Sequence, residues 1–398
     1  MSFTEKKGIE MTKNSIRLLE LFSGIGSQTT ALQNIGVEHM SVCCEIDEQA
    51  HRAYEAMHGP TENLGDITKV ERLPPCDLLT YSYPCQAVSV AGARKGMEEG
   101  SGTSSSLVWE VGRLLTEAHS RGALPEYLLM ENVKGVLSPT NRPVFDRWRA
   151  LLTSLGYTST YAVLNAKDFG VPQNRERIFM VSTLTKGAFQ FPRGRDTGVR
   201  LRDVMEPEVD DRYYLTEERI ASYEAHRLKQ EAEGRGFGWC PASPNGVAST
   251  VVTSPSSSST STVVVSGEVM WDMRDAPDDH RIIIAGKLDL PGWHESACRV
   301  YGTEGVAPTV PTGAGGGHIP RLDVSDDEVR IRYLTPRECW RLQGFDDERI
   351  DRAFAVVEKD GPRYRMAGNS IAVPCLEAIF RAMFIDKRFV KGGRLDEW

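Results

Sequence analysis

Ser15-Ile16-Arg17-Leu18-Leu19-Glu20-Leu21-Phe22, followed at once by Ser23-Gly24-Ile25-Gly26, is the stretch that decides the fold. A short apolar run broken by a glycine turn reads as a buried strand, and residues 29–35 read as the helix after it. Strand, tight glycine turn and helix form the opening unit of a nucleotide-binding α/β fold. Glycines there let the backbone approach a ligand where a Cβ would block it. A second strand ends in Val42-Cys43-Cys44-Glu45-Ile46-Asp47. An acidic residue ~20 positions beyond the turn is placed to accept ribose hydroxyls; Glu45 fits, and Ile46 is placed to cover an adenine face. Leu64-Gly65-Asp66-Ile67 puts another carboxylate at a strand end.

Moving outward, Asp77-Leu78-Leu79-Thr80-Tyr81 reads as the strand that delivers Ser82-Tyr83-Pro84-Cys85-Gln86. The small, polar stretches Ala91-Gly92-Ala93-Arg94-Lys95-Gly96 and Gly100-Ser101-Gly102-Thr103-Ser104-Ser105-Ser106 are an exposed connector or a lid. Their place just after Cys85 favours the lid. A helix over 107–118 follows, then a strand Tyr127-Leu128-Leu129-Met130 carrying Glu131 at its end. Ligand groups at the carboxyl ends of parallel strands are the rule for open α/β sheets. Residues 144–155 read as helix and 158–164 as strand. Gln173-Asn174-Arg175-Glu176-Arg177 leads into a strand over 177–182.

Between about 190 and 325 the character changes to a charged helix (217–233), Gly/Ser/Thr/Pro-rich stretches and short β-branched runs. Ser254-Pro255-Ser256-Ser257-Ser258-Ser259-Thr260 and Gly313-Ala314-Gly315-Gly316-Gly317 read as loops. Gly246-Val247-Ala248-Ser249-Thr250-Val251 recurs as Gly305-Val306-Ala307-Pro308-Thr309-Val310, either two similar strand ends or two related recognition elements. Periodic sequence returns with a helix over 335–342, capped by Thr335 with Pro336 first and Glu338 three residues on. Gly368-Asn369-Ser370 opens a last helix over 374–384. The expected organisation is therefore a loose leader (1–14), an α/β domain made of 15–190 and 326–398, and an inserted domain over 191–325.

With 40% hydrophobic and 26% charged residues the chain has the composition of a soluble globular protein. No run approaches a membrane span and the N-terminus lacks a signal-peptide core, so a cytoplasmic location is expected. The eight cysteines show no Cys-x-x-Cys, which favours reduced thiols and argues against zinc; no metal site is expected. A net charge of −8 argues against nucleic acid, yet residues 167–202 hold eight basic against three acidic side chains. Residues 41–80 hold three basic against eight acidic. Two solvated faces of opposite sign would look the same, until the motifs choose a polyanion for the basic one.

One reaction needs these residues together. Carbon 5 of cytosine is inert toward electrophiles until a nucleophile adds at carbon 6 and makes the ring an enamine. A thiolate can add and leave again near neutral pH, which is the task for Cys85. N3 needs a proton or hydrogen bond as charge develops; Glu131 supplies it if its pocket raises its pKa. A guanidinium fork suits the carbonyl oxygen at C2. Arg177 is the candidate, with Arg175 beside it for a phosphate or for the Glu131 carboxylate. A nucleoside sulfonium donor accounts for the glycine turn and acidic ribose contact without a triphosphate loop.

The ordered set resembles the DNA (cytosine-5)-methyltransferases of bacteria and phages. Leu21-Phe22-Ser23-Gly24-Ile25-Gly26 is similar to the family's cofactor loop, Pro84-Cys85-Gln86 to its nucleophile motif and Glu131-Asn132-Val133 to its acid motif. Gln173-Asn174-Arg175-Glu176-Arg177 is similar to its arginine motif. Arg332-Tyr333-Leu334-Thr335-Pro336-Arg337-Glu338 with Arg341-Leu342-Gln343-Gly344-Phe345 resembles the motif supporting the recognition domain, and Gly368-Asn369-Ser370-Ile371-Ala372-Val373-Pro374 the last cofactor motif. Departures are Ser27 for a further glycine, Tyr81-Ser82-Tyr83 for Gly-Gly-Phe, and a lid without its usual arginine.

The resemblance implies a Rossmann-like methyltransferase domain with a smaller, loop-rich, β-containing target-recognition domain inserted before the last motifs. It implies S-adenosyl-L-methionine as cofactor, leaving as S-adenosyl-L-homocysteine. Phe22, Ser23, Gly24, Ile25, Gly26, Glu45, Ile46, Asp66, Ile67, Pro84, Asn369, Ser370 and Ile371 would surround it. Cys85, Glu131, Arg175 and Arg177 would be catalytic, acting on a cytosine flipped out of the duplex. Thr250, Thr309, Gln86 and Ser89 would meet DNA, the two threonines because Thr followed by an aliphatic residue often marks the recognition domain. Implied partners are double-stranded DNA, with room for a restriction endonuclease acting separately and no membrane; a monomer in a bacterial cell or phage-infected host is expected. A structured RNA such as tRNA is the alternative substrate.

Overall fold

The computed structural model describes residues 15–84, 104–232, 247–248, 250, 263–266, 284–287, 299–301, 321–322 and 330–390. β1 (Ile16–Leu21) leads through the glycine turn into α1 (Ser27–Asn34). β2 (His39–Cys44), α2 (Glu48–His58), β3 (Glu62–Asn63) and β4 (Leu78–Tyr81) follow. α3 (Val108–Ser120), β5 (Tyr127–Val133), α4 (Arg142–Ser154), β6 (Thr158–Asn165), β7 (Glu176–Thr183) and β8 (Ala188–Phe189) come next. After α5 (Glu217–Ala232) there are short strands: β9 (Val263–Ser266), β10 (Ile284–Lys287), β11 (Arg299–Tyr301), β12 (Arg321–Leu322) and β13 (Arg330–Tyr333). The chain ends in α6 (Pro336–Arg341), α7 (Asp347–Val356), α8 (Asp360–Asn369), α9 (Val373–Phe380) and β14 (Phe389–Val390).

Two compact units emerge, Met1–Val199 with Thr250–Ser254 and Pro336–Trp398, and Arg200–Ser249 with Pro255–Thr335. In the first, a seven-stranded sheet has the order β3-β2-β1-β4-β5-β7-β6. β3, β2, β1, β4 and β5 run parallel, whereas β7 is antiparallel to both its neighbours. The strand order reverses between β1 and β4, the crevice where such sheets take ligands. In the second unit β10, β11 and β12 form a small sheet and β13 pairs antiparallel with β9. That pairing keeps residues 330–333 with the second unit. Thr335, expected as a helix cap, donates its hydroxyl to the Glu206 carboxylate.

The core of the first unit packs against the faces of the apolar parallel strands. Leu18, Leu19, Leu21, Leu78 and Leu79 are fully buried, as strands covered on both sides require. Tyr81, the bulky departure noted above, is buried against Trp148 of α4, whose indole N–H donates to its hydroxyl at 3.2 Å. The rings meet edge-on at 5.8 Å. A large residue is tolerated there because α4 offers it both a face and a donor.

Three sequence expectations need correcting. Glu131 lies inside β5, not beyond its end, because β7 extends the ladder to the Val133–Arg177 pair. Gly368 and Asn369 close α8, a helix not anticipated, and α9 starts at Val373. Among the described residues, Asp360–Ile385 is also long and apolar enough by composition to cross a membrane, though 56% of its most apolar window is buried in the protein. Here it serves as two core helices with a turn between them, α9 running on into a π-helical turn, Arg381–Ile385.

Candidate active site

The site grows from the turn after β1. Phe22 takes a left-handed φ of 58°, and Gly24 and Gly26 follow at 55° and 80°. The Phe22 N–H donates to the Cys44 carbonyl at 2.9 Å, which ties the turn to the end of β2. A Cβ on Gly26 would lie 2.6 Å from the Tyr54 ring, so only glycine lets the loop settle onto α2. α1 starts at Ser27 with no side-chain cap and no acidic residue in its first turn. Its N–H groups are thus available to an anionic group.

Glu45 follows β2 and serves the same loop. Its carboxylate accepts the Gly24 N–H and the Asp47 N–H, both at 2.8 Å. Burial pushes its carboxyl up, while those two N–H groups hold it down. Asn63, which sequence reasoning overlooked, grips the Glu45 backbone from both sides, accepting its N–H and donating to its carbonyl at 2.9 Å each. The signal was Asn63 standing two residues before Gly65, whose N–H it also accepts. Next to Glu45 the Ile46 side chain is 72% exposed, an apolar surface with no core partner. Asp66 caps the 3₁₀ turn Ile67–Lys69, and the Thr68 N–H and hydroxyl hold its carboxyl below the usual range.

These residues line one pocket of about 320 Å³, within the size range of ligand sites. Of the residues singled out for the cofactor, Phe22, Ser23, Gly24, Ile25, Glu45, Ile46, Asp66, Ile67, Pro84, Asn369, Ser370 and Ile371 line it, and Gly26, packed on Tyr54, does not. Leu107 and Arg365 also line it, unanticipated. Arg365 on α8 pairs with Asp47, the cap of α2, at 3.0 Å.

Glu131, Arg175 and Arg177 line the same pocket. Glu131 stands opposite Phe179 across the β5–β7 ladder, and Arg177 opposite Val133, so Glu131 and Arg177 are diagonal neighbours on one face. The Arg177 Nε lies 3.3 Å from a Glu131 carboxylate oxygen. Burial raises the Glu131 pKa, and the positive charges of Arg177 and Arg175 pull against it without cancelling it. The Asn132 side chain donates to the Tyr83 carbonyl at 2.9 Å, so the residue beside the acid steadies the approach to Pro84. Arg175 is buried, and its Nη2 donates to the Gly368 and Ser370 carbonyls at 2.9 and 2.7 Å.

Cys85, Gln86, Ser89 and Thr309 lie outside the described residues. Thr250 belongs to the first unit, its hydroxyl donating to the Asn174 carbonyl at 2.7 Å. Among the described residues Cys43, Cys44, Cys76, Cys339 and Cys375 are buried free thiols. Burial pushes all five up, to about 12 for Cys44, Cys76 and Cys375. None of these can be a thiolate at neutral pH. A buried Glu20 in β1 was not anticipated either. One of its oxygens accepts the hydroxyls of Thr29 and Tyr54 at 2.5 and 2.7 Å, the other has no partner among the described residues, and burial raises the Glu20 pKa to about 7.

Comparison with known proteins places the chain in a family. The orphan methyltransferase M.SPBetaI of Bacillus phage SPbeta is 30% identical, covering 93% of this chain and 98% of that protein. The type II methyltransferase M.HpaII of Haemophilus parainfluenzae is 32% identical, with 92% and 88% covered. Among solved structures, the S. pombe Dnmt2 methyltransferase shares the fold with a TM-score of 0.59 at 18% identity, covering 93% of this chain and 98% of that one. A family model described as C-5 cytosine-specific DNA methylase matches residues 16–385. The chain therefore belongs to the C-5 cytosine-specific DNA methylases, enzymes that transfer a methyl group to carbon 5 of cytosine in DNA.

Proposed function

We propose that the pocket beneath the glycine turn receives S-adenosylmethionine and that Cys85, Glu131 and Arg177 act on a flipped-out cytosine of duplex DNA. The bound cofactor supplies a methyl group on a sulfonium, an electrophile strong enough for an enamine carbon. Glu45 fits the ribose hydroxyls, the exposed Ile46 face fits the adenine ring, and the uncapped start of α1 fits the carboxylate of the methionyl end. The Cys85 thiolate adds to carbon 6, and a later proton loss at carbon 5 lets the sulfur leave. Glu131, whose pKa burial raises, donates a proton to N3, and Arg177 faces the oxygen at C2.

The observation that carries the proposal is a buried acid with a raised pKa facing a guanidinium in the pocket that also holds the glycine turn. Residues 191–325 would form the target-recognition domain, large enough to read base edges in a groove. Replacing Cys85 by Ser should abolish transfer of a labelled methyl group to duplex DNA and leave cofactor binding intact. Near-normal transfer would refute the mechanism. Competition between duplex DNA and tRNA decides the substrate, and bisulfite sequencing of DNA from expressing cells reads out the recognition site.

A further inference from the structure

Arg175 and Arg177 sit two residues apart where the chain enters β7, yet they serve different neighbours. Arg177 reaches Glu131. Arg175 is only 3% exposed and is enclosed by the end of α8. The last carbonyls of a helix have no partner within it. In α8 the Ser370 N–H returns to the Met366 and Ala367 carbonyls, and the Ser370 hydroxyl also donates to Met366. The Gly368 and Ser370 carbonyls instead accept from a single guanidinium nitrogen, whose two N–H groups can meet both. A cation at that position also faces the negative end of the helix dipole.

We infer that Arg175 is a positioning residue for the cofactor wall: its Nη2, bound to the Gly368 and Ser370 carbonyls, holds the turn between α8 and α9 in the shape the pocket needs. That turn supplies Gly368, Asn369, Ser370 and Ile371 to the lining. The arginine is itself fixed from behind, where its N–H donates to the Asn165 side-chain oxygen at 3.0 Å and its carbonyl accepts the Ala166 N–H at 3.0 Å. Neighbouring links run the same way. The Gln173 amide donates to the Leu342 carbonyl at 2.9 Å, and the Val373 N–H donates to the Gln343 carbonyl at 2.8 Å. Segments 173–175, 342–343 and 368–373 are thus joined, though nearly two hundred residues separate the first from the last. The Arg175 charge also opposes the rise of the Glu131 pKa, so cofactor wall and acid share one cation. A guanidinium so enclosed is not presented to a phosphate.

This role rests on the reading of the pocket as the cofactor site, and the two are separable. Wild-type enzyme that fails to bind S-adenosylmethionine in calorimetry overturns the site itself. Given binding, Arg175→Lys keeps the charge but loses the fork. It should raise KM for the cofactor about tenfold, with kcat at saturating cofactor within about threefold and DNA affinity unchanged. Arg177→Lys should do the reverse, lowering kcat with cofactor KM unchanged. If Arg175→Lys does not fold, Asn165→Ala loosens the same arginine from outside the pocket. It should raise cofactor KM by a smaller factor, and Asn165→Asp, which keeps the acceptor for the Arg175 N–H but loses the donor to the Asn174 side chain, should recover part of it. Unchanged cofactor KM with weakened, less salt-dependent DNA binding would make Arg175 a phosphate contact. A loss confined to kcat would make it a base contact. Either result overturns the inference.

Discussion

Replacing Gly26 by alanine tests how tightly the cofactor turn is fitted to the helix behind it. At φ 80° an L-residue costs about 1–2 kcal/mol of backbone strain. The new Cβ would also stand 2.6 Å from the Tyr54 Cε2 and 2.8 Å from the His58 Nε2. Tyr54 cannot swing aside cheaply, because its ring is fully buried and its hydroxyl donates to Glu20 at 2.7 Å. Overpacking of this kind adds about 1–3 kcal/mol, for a total of about 2–5 kcal/mol. If the loop yields, affinity for S-adenosylmethionine falls about thirtyfold or more; if the loop holds, the cost appears as a lower melting temperature. Gly24→Ala is the internal control. Its Cβ would meet nothing within 4 Å, so only the backbone cost remains, about five- to thirtyfold in affinity. Calorimetric titration and thermal melts of both variants read the two outcomes. Gly26→Ala with wild-type affinity and an unchanged melt would refute the close fit.

Two further tests concern the buried acids. Glu131→Gln should lower kcat about 10²–10⁴-fold with cofactor affinity retained. The wild type should lose activity as pH rises through the elevated Glu131 pKa, and the variant should lack that limb; an unaltered pH profile would remove Glu131 as the proton donor. Glu20 is raised to about 7 in the fold, whereas an unfolded glutamate titrates near about 4.3, so its contribution to stability is whole below the lower value and is lost as pH rises through the upper one. Glu20→Gln should therefore gain on the wild type between pH 5 and 8, by up to about 3 kcal/mol in urea unfolding. A difference that does not change with pH would mean that Glu20 keeps its charge by other means.

Legibility followed where each residue's partners lie in the chain. Parallel strands buried on both faces write themselves as apolar runs, so β1 and β4 could be read from composition. The glycine turn and Glu45 were readable because both sit at fixed offsets from a strand end. α8 was missed because Asp360-Gly361-Pro362 and Gly368 look like turn residues. Its helix is held from outside, by Trp340 donating to the Arg363 carbonyl and the Arg363 guanidinium lying 4.0 Å over Phe354. Glu20 hid within an apolar strand, since nothing local announces that Thr29 and Tyr54 will converge on it from two helices. The two main-chain oxygens that accept from Arg175 carry no side-chain signature, so the sequence alone points only to a phosphate or a carboxylate for it.

The staple from Arg175 to the Gly368 and Ser370 carbonyls has a bearing on biosynthesis. A ribosome making this chain finishes all seven strands of the central sheet long before it makes the turn that closes their pocket. At about 5–20 residues per second, roughly ten to thirty seconds pass between residue 199 and residue 370. Through that interval the nascent protein carries the second unit and lacks one wall of the pocket. A product cut short by a nonsense codon before α8 is left without Asn369 and Ser370. The wiring thus makes methylation the last competence the polypeptide acquires, after the whole of the second unit has been made.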